Sequence, residues 1–176
     1  MRRATTFIRQ LGGEIDYSKW YLPSKNELAE IYTVLIAQGK GSFLADGRYY
    51  ASSEEGLANN PVIMRSLNGT FATTAKTQTW NVRPCKTTPI IESSFSYIVG
   101  NTGPSGGLIF YRINDGVTSL YFEAALADIT PTTWSDATGI VGTSFNIGTG
   151  RTNTFAIVAQ SGHTTSAAQD CLDYTP

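Results

Sequence analysis

Leu28, Ile31, Tyr32, Leu35 and Ile36 follow one another at the spacing of a single helical face. Just upstream, Ser24 can cap a first turn, and Glu27 three residues on completes a capping box. Gly39 supplies a stop, since the left-handed residue that ends many helices is usually glycine. The pattern predicts a helix over 25–38. Beyond it the helical period gives way to short runs punctuated by turns. Tyr49 to Ser53 reads as a short strand. Val62–Ser66 and Thr70–Thr73 flank Asn68-Gly69, a strong short-range hairpin signal. Thr79 to Cys85 alternates like a strand, and 87–96 has no helical period and reads as a connector.

The second half opens on a turn-rich run from Val99 to Gly107. Leu108 to Tyr111 and Leu120 to Ala125 then read as strands about the turn Asn114-Asp115-Gly116. Residues 126–150 read mostly as loop, with Trp134 as the large apolar anchor. Thr152 to Gln160 predicts a short helix ended by Gly162, and Thr165 or Ser166 caps another over 167–172.

Composition narrows the class. Of 176 residues, 41% are hydrophobic, enough for a core, and only 15% are charged against a usual value of about 25%. Lys and Arg total 13 and Asp and Glu 14, so the basic excess of a nucleic-acid binder is missing. No run nears the roughly 18 apolar residues of a membrane span. Thr is more numerous than the 17 Gly, a habit of β-rich extracellular and virion-surface proteins. Met1 to Arg9 carries basic residues without an apolar stretch and does not read as a signal peptide.

Candidate chemistry is sparse. A lone His163 cannot build a multi-His metal site, and between Gly162 and Thr164 it reads as an exposed loop residue. Asp128, Asp136 and the pair Glu54-Glu55 are scattered, which predicts no metal or other cofactor. No catalytic spacing is recognised, which predicts a non-enzymatic protein.

Two stretches carry a family resemblance. Trp20-Tyr21-Leu22-Pro23-Ser24-Lys25-Asn26-Glu27-Leu28, with Tyr50-Ala51-Ser52-Ser53-Glu54 and Asn81-Val82-Arg83-Pro84, resembles the closing half of the Lcl C-terminal domain family, the C-terminal domain of a collagen-like adhesin of Legionella. The run from Val99 to Tyr111, with Glu123-Ala124-Ala125, Trp134-Ser135, Gly148-Thr149-Gly150, Ala167-Ala168 and Cys171, resembles its opening half. The order is swapped: the closing half occupies 1–86, a connector 87–96, and the opening half 97–176. A circular permutation, a piece of a tandem array, or halves exchanged between chains would each produce this order. Head-to-tail exchange need not close and can build a filament. Ala4 to Leu11 resembles a degenerate copy of the helix at 167–172, an overlap that repeats show and permutations do not need.

The resemblance implies an α+β, C-type-lectin-like fold: two main helices on a small, mostly antiparallel sheet with long loops. It implies a structural disulfide between Cys85 and Cys171, closing about half of the chain. Trp20, Trp80 and Trp134 are then mainly core residues, and Arg83 pairs with a buried carboxylate. The function it implies is adhesion: an extracellular, cell-surface or virion-surface module that binds a glycan or protein receptor. The loops at 40–48, 55–61, 74–78 and 126–150 are the expected ligand surface, and Tyr49, Tyr50 and Trp134 could stack on a sugar if exposed. The alternative is a self-associating filament or phage-fibre subunit.

Overall fold

The computed structural model describes residues 16–43, 46–56, 60–91 and 96–176. The resemblance at 4–11 lies outside them. Helix α1 spans Lys25–Val34 and tightens into a 3-10 turn over Ile36–Gln38, where Gly39 takes a left-handed φ of 65°. The capping box forms as the sequence predicts: Ser24 Oγ accepts from Glu27 N–H, and Glu27 accepts from Ser24 N–H. Leu28, Ile31 and Leu35 are fully buried along its inner face.

Among the described residues eight strands follow: β1 Tyr49–Glu55, β2 Pro61–Arg65, β3 Phe71–Thr73, β4 Thr79–Val82, β5 Cys85–Ile91, β6 Leu108–Asn114, β7 Thr118–Ala124 and β8 Ile129–Thr133. Helices α2, Gly150–Val158, and α3, Ala167–Asp173, close the chain, the latter capped by Ser166. One sheet has the order β3-β2-β1-β4-β8, the other β5-β7-β6. All pairings are antiparallel except β1 with β4. The protein is thus a small α+β fold with mostly antiparallel sheets. No helix among the described residues is long and apolar enough to cross a membrane.

Two expectations shift. Residues 87–91 are not connector: they continue β5, paired with β7 from Cys85↔Ala124 to Ile91↔Thr118. Thr87, Thr88, Ile90 and Ile91 suit a pleated ladder, and β5 is an edge strand, where Pro89 is tolerated. The stretch read as loop over 126–150 contains β8, which adds to the edge of β4.

The core has two apolar clusters, and β1 explains both. Successive strand side chains point to opposite faces. Tyr50 joins Leu28, Ile31, Leu35, Met64, Phe110 and Phe122, whereas Ala51 joins Leu22, Val82, Trp134, Ile157, Ala168 and Cys171. Both halves of the chain supply both clusters. Leu22 N–H donates to Thr154 Oγ1 at 2.9 Å, and Trp134 Nε1–H to Ser52 O at 2.7 Å. The two halves therefore close on each other within one chain.

The chain passes between the sheets twice, at Arg83-Pro84 between β4 and β5 and at 125–128 between β7 and β8. Arg83, 1% exposed, clamps these crossings together. Its Nε donates to Asp128 Oδ1 at 2.5 Å, Nη1 to Ala125 O at 2.8 Å and Nη2 to Ser42 O at 3.1 Å. The guanidinium also lies 3.8 Å from the centre of the Phe43 ring. The other oxygen of Asp128 accepts from Tyr50 Oη at 2.8 Å. Replacing Arg83 with Met should lower stability by about 3 kcal/mol in urea unfolding, since it leaves two carbonyls without their donor and the part-buried Asp128 carboxylate with Tyr50 alone. A loss below about 1 kcal/mol would show that the clamp is dispensable.

Candidate functional site

The hairpin partner of β2 does not run straight. Between Ala51↔Ile63 and Glu55↔Pro61 the register shifts, so β1 holds two more residues than β2 over the same span. The irregular stretch is Ser52-Ser53-Glu54. Ser52 Oγ donates to Val62 O at 2.8 Å, and Ser53 N–H to Pro23 O at 2.7 Å, fixing the bulge to the start of α1. The bulge leaves two adjacent glutamates with separate surroundings. Glu55 pairs with buried Lys76, and its Oε2 accepts from Val141 N–H at 2.6 Å and Gly142 N–H at 3.2 Å. Lys76 also donates to Gly139 O and lies over the Trp134 ring. Glu55 thus belongs to the structure.

Glu54 is different. It is 9% exposed and lines an open cleft of about 600 Å3 with Lys25, Glu55, Gly56, Val62, Phe71, Ala72 and Thr73. Its Oε2 is shielded from water and has no hydrogen-bond partner. Burial raises its pKa above the ordinary 4.5, and the Lys25 charge offsets part of the rise. The Lys25 ammonium lies 5.5 Å from the centre of the Phe71 ring. The cleft is therefore lined by one cation lying over an aromatic ring, a carboxylate with one oxygen lacking a partner, and the exposed Thr73. The sequence offered Glu54 among scattered acidic residues and did not single out Lys25 or Phe71. The available signal was Glu54-Glu55 at the end of a strand, two charges that one alternating face cannot both expose.

The expected stacking residues fall elsewhere. Tyr50 and Trp134 are both 0% exposed, in different core clusters, and offer no face to a sugar. Their polar tips are satisfied inside, by Asp128 and by Ser52 O. Tyr49 is half-buried with its ring 5.7 Å from that of Trp80. These three do not form a platform, because the core recruits the large aromatic surface first.

The disulfide that the resemblance implies is not formed in this structure. Cys85 and Cys171 are free and fully buried, Cys85 in the first cluster and Cys171 in the second. Burial pushes both thiols well above their ordinary range, and for Cys85 the neighbouring Glu27 and then Cys171 push further. The apolar interior favours neutral thiols over thiolates.

His163 is half-buried, and its Nε2 lies 2.8 Å from Ser166 Oγ. This Ser–His contact is structural. Ser166 has no exposed surface, and its Oγ accepts from Gln169 N–H as the cap of α3. Among the described residues no three His, Cys, Asp or Glu side chains gather as metal ligands would. Comparison with protein-family models, with curated proteins and with solved structures finds no match to this chain.

Two outcomes follow. A thiol reagent at pH 8 should find no reactive thiol in the folded protein and two after denaturation without reductant; none after denaturation would mean that a bridge exists. Glu54→Gln should raise stability by about 1 kcal/mol at pH 7, since a neutral amide costs less to shield from water than a carboxylate. The sign follows from the raised pKa: the folded chain holds the proton more tightly, so wild-type stability falls as pH climbs from 4.5 through the folded value. The gain in Glu54→Gln should shrink as pH is lowered toward 4, and thermal unfolding across pH reads it.

Proposed function

We propose that this chain is a lectin-like, non-enzymatic binding module of an extracellular or virion surface, and that the Glu54 cleft is its ligand seat. The observation that carries the reading is the combination in that cleft of open volume and a shielded carboxylate oxygen without a partner. Its volume falls in the roughly 300–1,000 Å3 range of small-molecule sites. The frame around it is rigid: the bulge is tied to α1, and the irregular 139–142 segment is tied to Glu55 and Lys76. The mixed fold, with helices packed on mostly antiparallel sheets, is compatible with the lectin-like architecture that the sequence resemblance implies.

The test is binding of the labelled, folded chain to host-type cells and to a glycan array. Wild type should bind, and Ala72→Arg, which places a long side chain at the cleft wall from an exposed position of β3, should reduce binding at least tenfold. Absence of binding by a folded sample, or equal binding by the variant, would overturn the assignment.

A further inference from the structure

We propose that Lys76 and Glu55 condense into an intramolecular amide, a covalent cross-link between the end of β1 and the segment that joins β3 to β4. Such a bond forms whether or not the cleft takes a ligand.

The contact between the two side chains departs from that of an ordinary ion pair. Lys76 Nζ touches Glu55 Oε1, yet Oε1 is shielded from water and accepts no hydrogen bond. The amine therefore meets the carboxyl group outside the angular range of an N–H···O bond. Both side chains are only 5% exposed, so water does not compete for either group. The Trp134 ring, its centre 5.0 Å from Nζ, shields the pair, and its own Nε1–H donates to Ser52 O at 2.7 Å, which fixes the ring. Among the described residues this is the ion pair that brings a primary amine to a carboxylate; the other two use arginine, whose delocalised guanidinium is a poor nucleophile.

The carboxyl group is also held as an acyl acceptor. Its Oε2 accepts from Val141 N–H at 2.6 Å and Gly142 N–H at 3.2 Å. Two backbone donors aimed at one oxygen stabilise the oxyanion of a tetrahedral acyl intermediate. The same irregular segment anchors the nucleophile, since Nζ donates to Gly139 O.

The step balances without a further reactant. One ammonium proton passes to Oε1, and the nitrogen lone pair attacks Cδ. Negative charge gathers on Oε2, facing the Val141 and Gly142 N–H groups. A second proton moves from nitrogen to Oε1, the Cδ–Oε1 bond breaks, and that oxygen leaves as water. The product is a neutral Nζ–Cδ amide, with nothing oxidised or reduced. Two groups held in place react as if at an effective concentration on the order of 100,000 M or more. Burial also removes the hydration that favours the separate ions in water.

The experiment is mass spectrometry of the full chain, folded, purified and then denatured. The dominant species should be lighter than the sequence by one water, and Lys76→Arg and Glu55→Ala should each keep the full mass. Trypsin does not cut at an acylated lysine, and Arg83 precedes Pro84. Digestion should therefore release Tyr49–Arg65 joined to Ser66–Lys86 as one branched peptide that reductant does not split. The full sequence mass as the dominant species would overturn the cross-link. So would a water loss that persists in either variant, or one that maps to a linear peptide, as cyclisation at Asp115-Gly116 would produce.

Discussion

A single buried guanidinium holds the two sheets in register. Arg83 sits where the chain leaves one sheet for the other, and its donors reach two further segments, at Ser42 and at the 125–128 crossing through Ala125 and Asp128. Both crossings need carbonyl partners away from water, and neither can be paired by a ladder, because the strands on either side belong to different sheets. An arginine fits the task that a lysine does not, since its planar fork offers fixed, diverging donors and its face can stack on Phe43. Ala125 N–H to Pro84 O at 2.8 Å is the backbone counterpart of the same joint. With the joint in place, β4 can accept β8 on one side while β5 accepts β7 on the other.

The acidic residues explain how so few charges hold so many irregular segments. Glu27 accepts from Ser24 N–H at 2.7 Å and Gly148 N–H at 2.9 Å, joining the start of α1 to the approach of α2. A methyl group at position 150 would collide with that carboxylate, so Gly150 keeps the approach open. Glu123 does the same for the Gly-rich run, accepting from Ser105 and Gly107 N–H groups and from Thr88. Asp136 holds Thr164 and Thr165, and the Thr164 hydroxyl and these backbone donors hold its pKa down to about 2. Against this background Glu54 is the exception. Its neighbours in sequence are all engaged, and its own shielded oxygen is not.

Much of the local structure was legible in the chain. The capping box, the Gly39 stop, the Asn68-Gly69 hairpin and the Ser166 cap are each decided within a few residues, by groups that satisfy one another's backbone. The β6–β7 hairpin about Asn114-Asp115-Gly116 belongs to the same class. The continuation of β5 beyond Cys85 was not legible, because its evidence is a partner strand far along the chain, from Glu123 back to Thr118.

The site follows the same division. By itself the sequence determined the elements, the apolar positions and the presence of Glu54-Glu55, since these depend on neighbouring residues and their period. It could not say which aromatics face outward, and Tyr50 and Trp134 went to the core. Only the tertiary structure decided that Lys76 neutralises one glutamate and leaves the other, that Lys25 and Phe71 share a cleft with it, and that the two cysteines remain thiols in separate clusters. Each is a matter of which surfaces meet across stretches of chain that no local pattern spans.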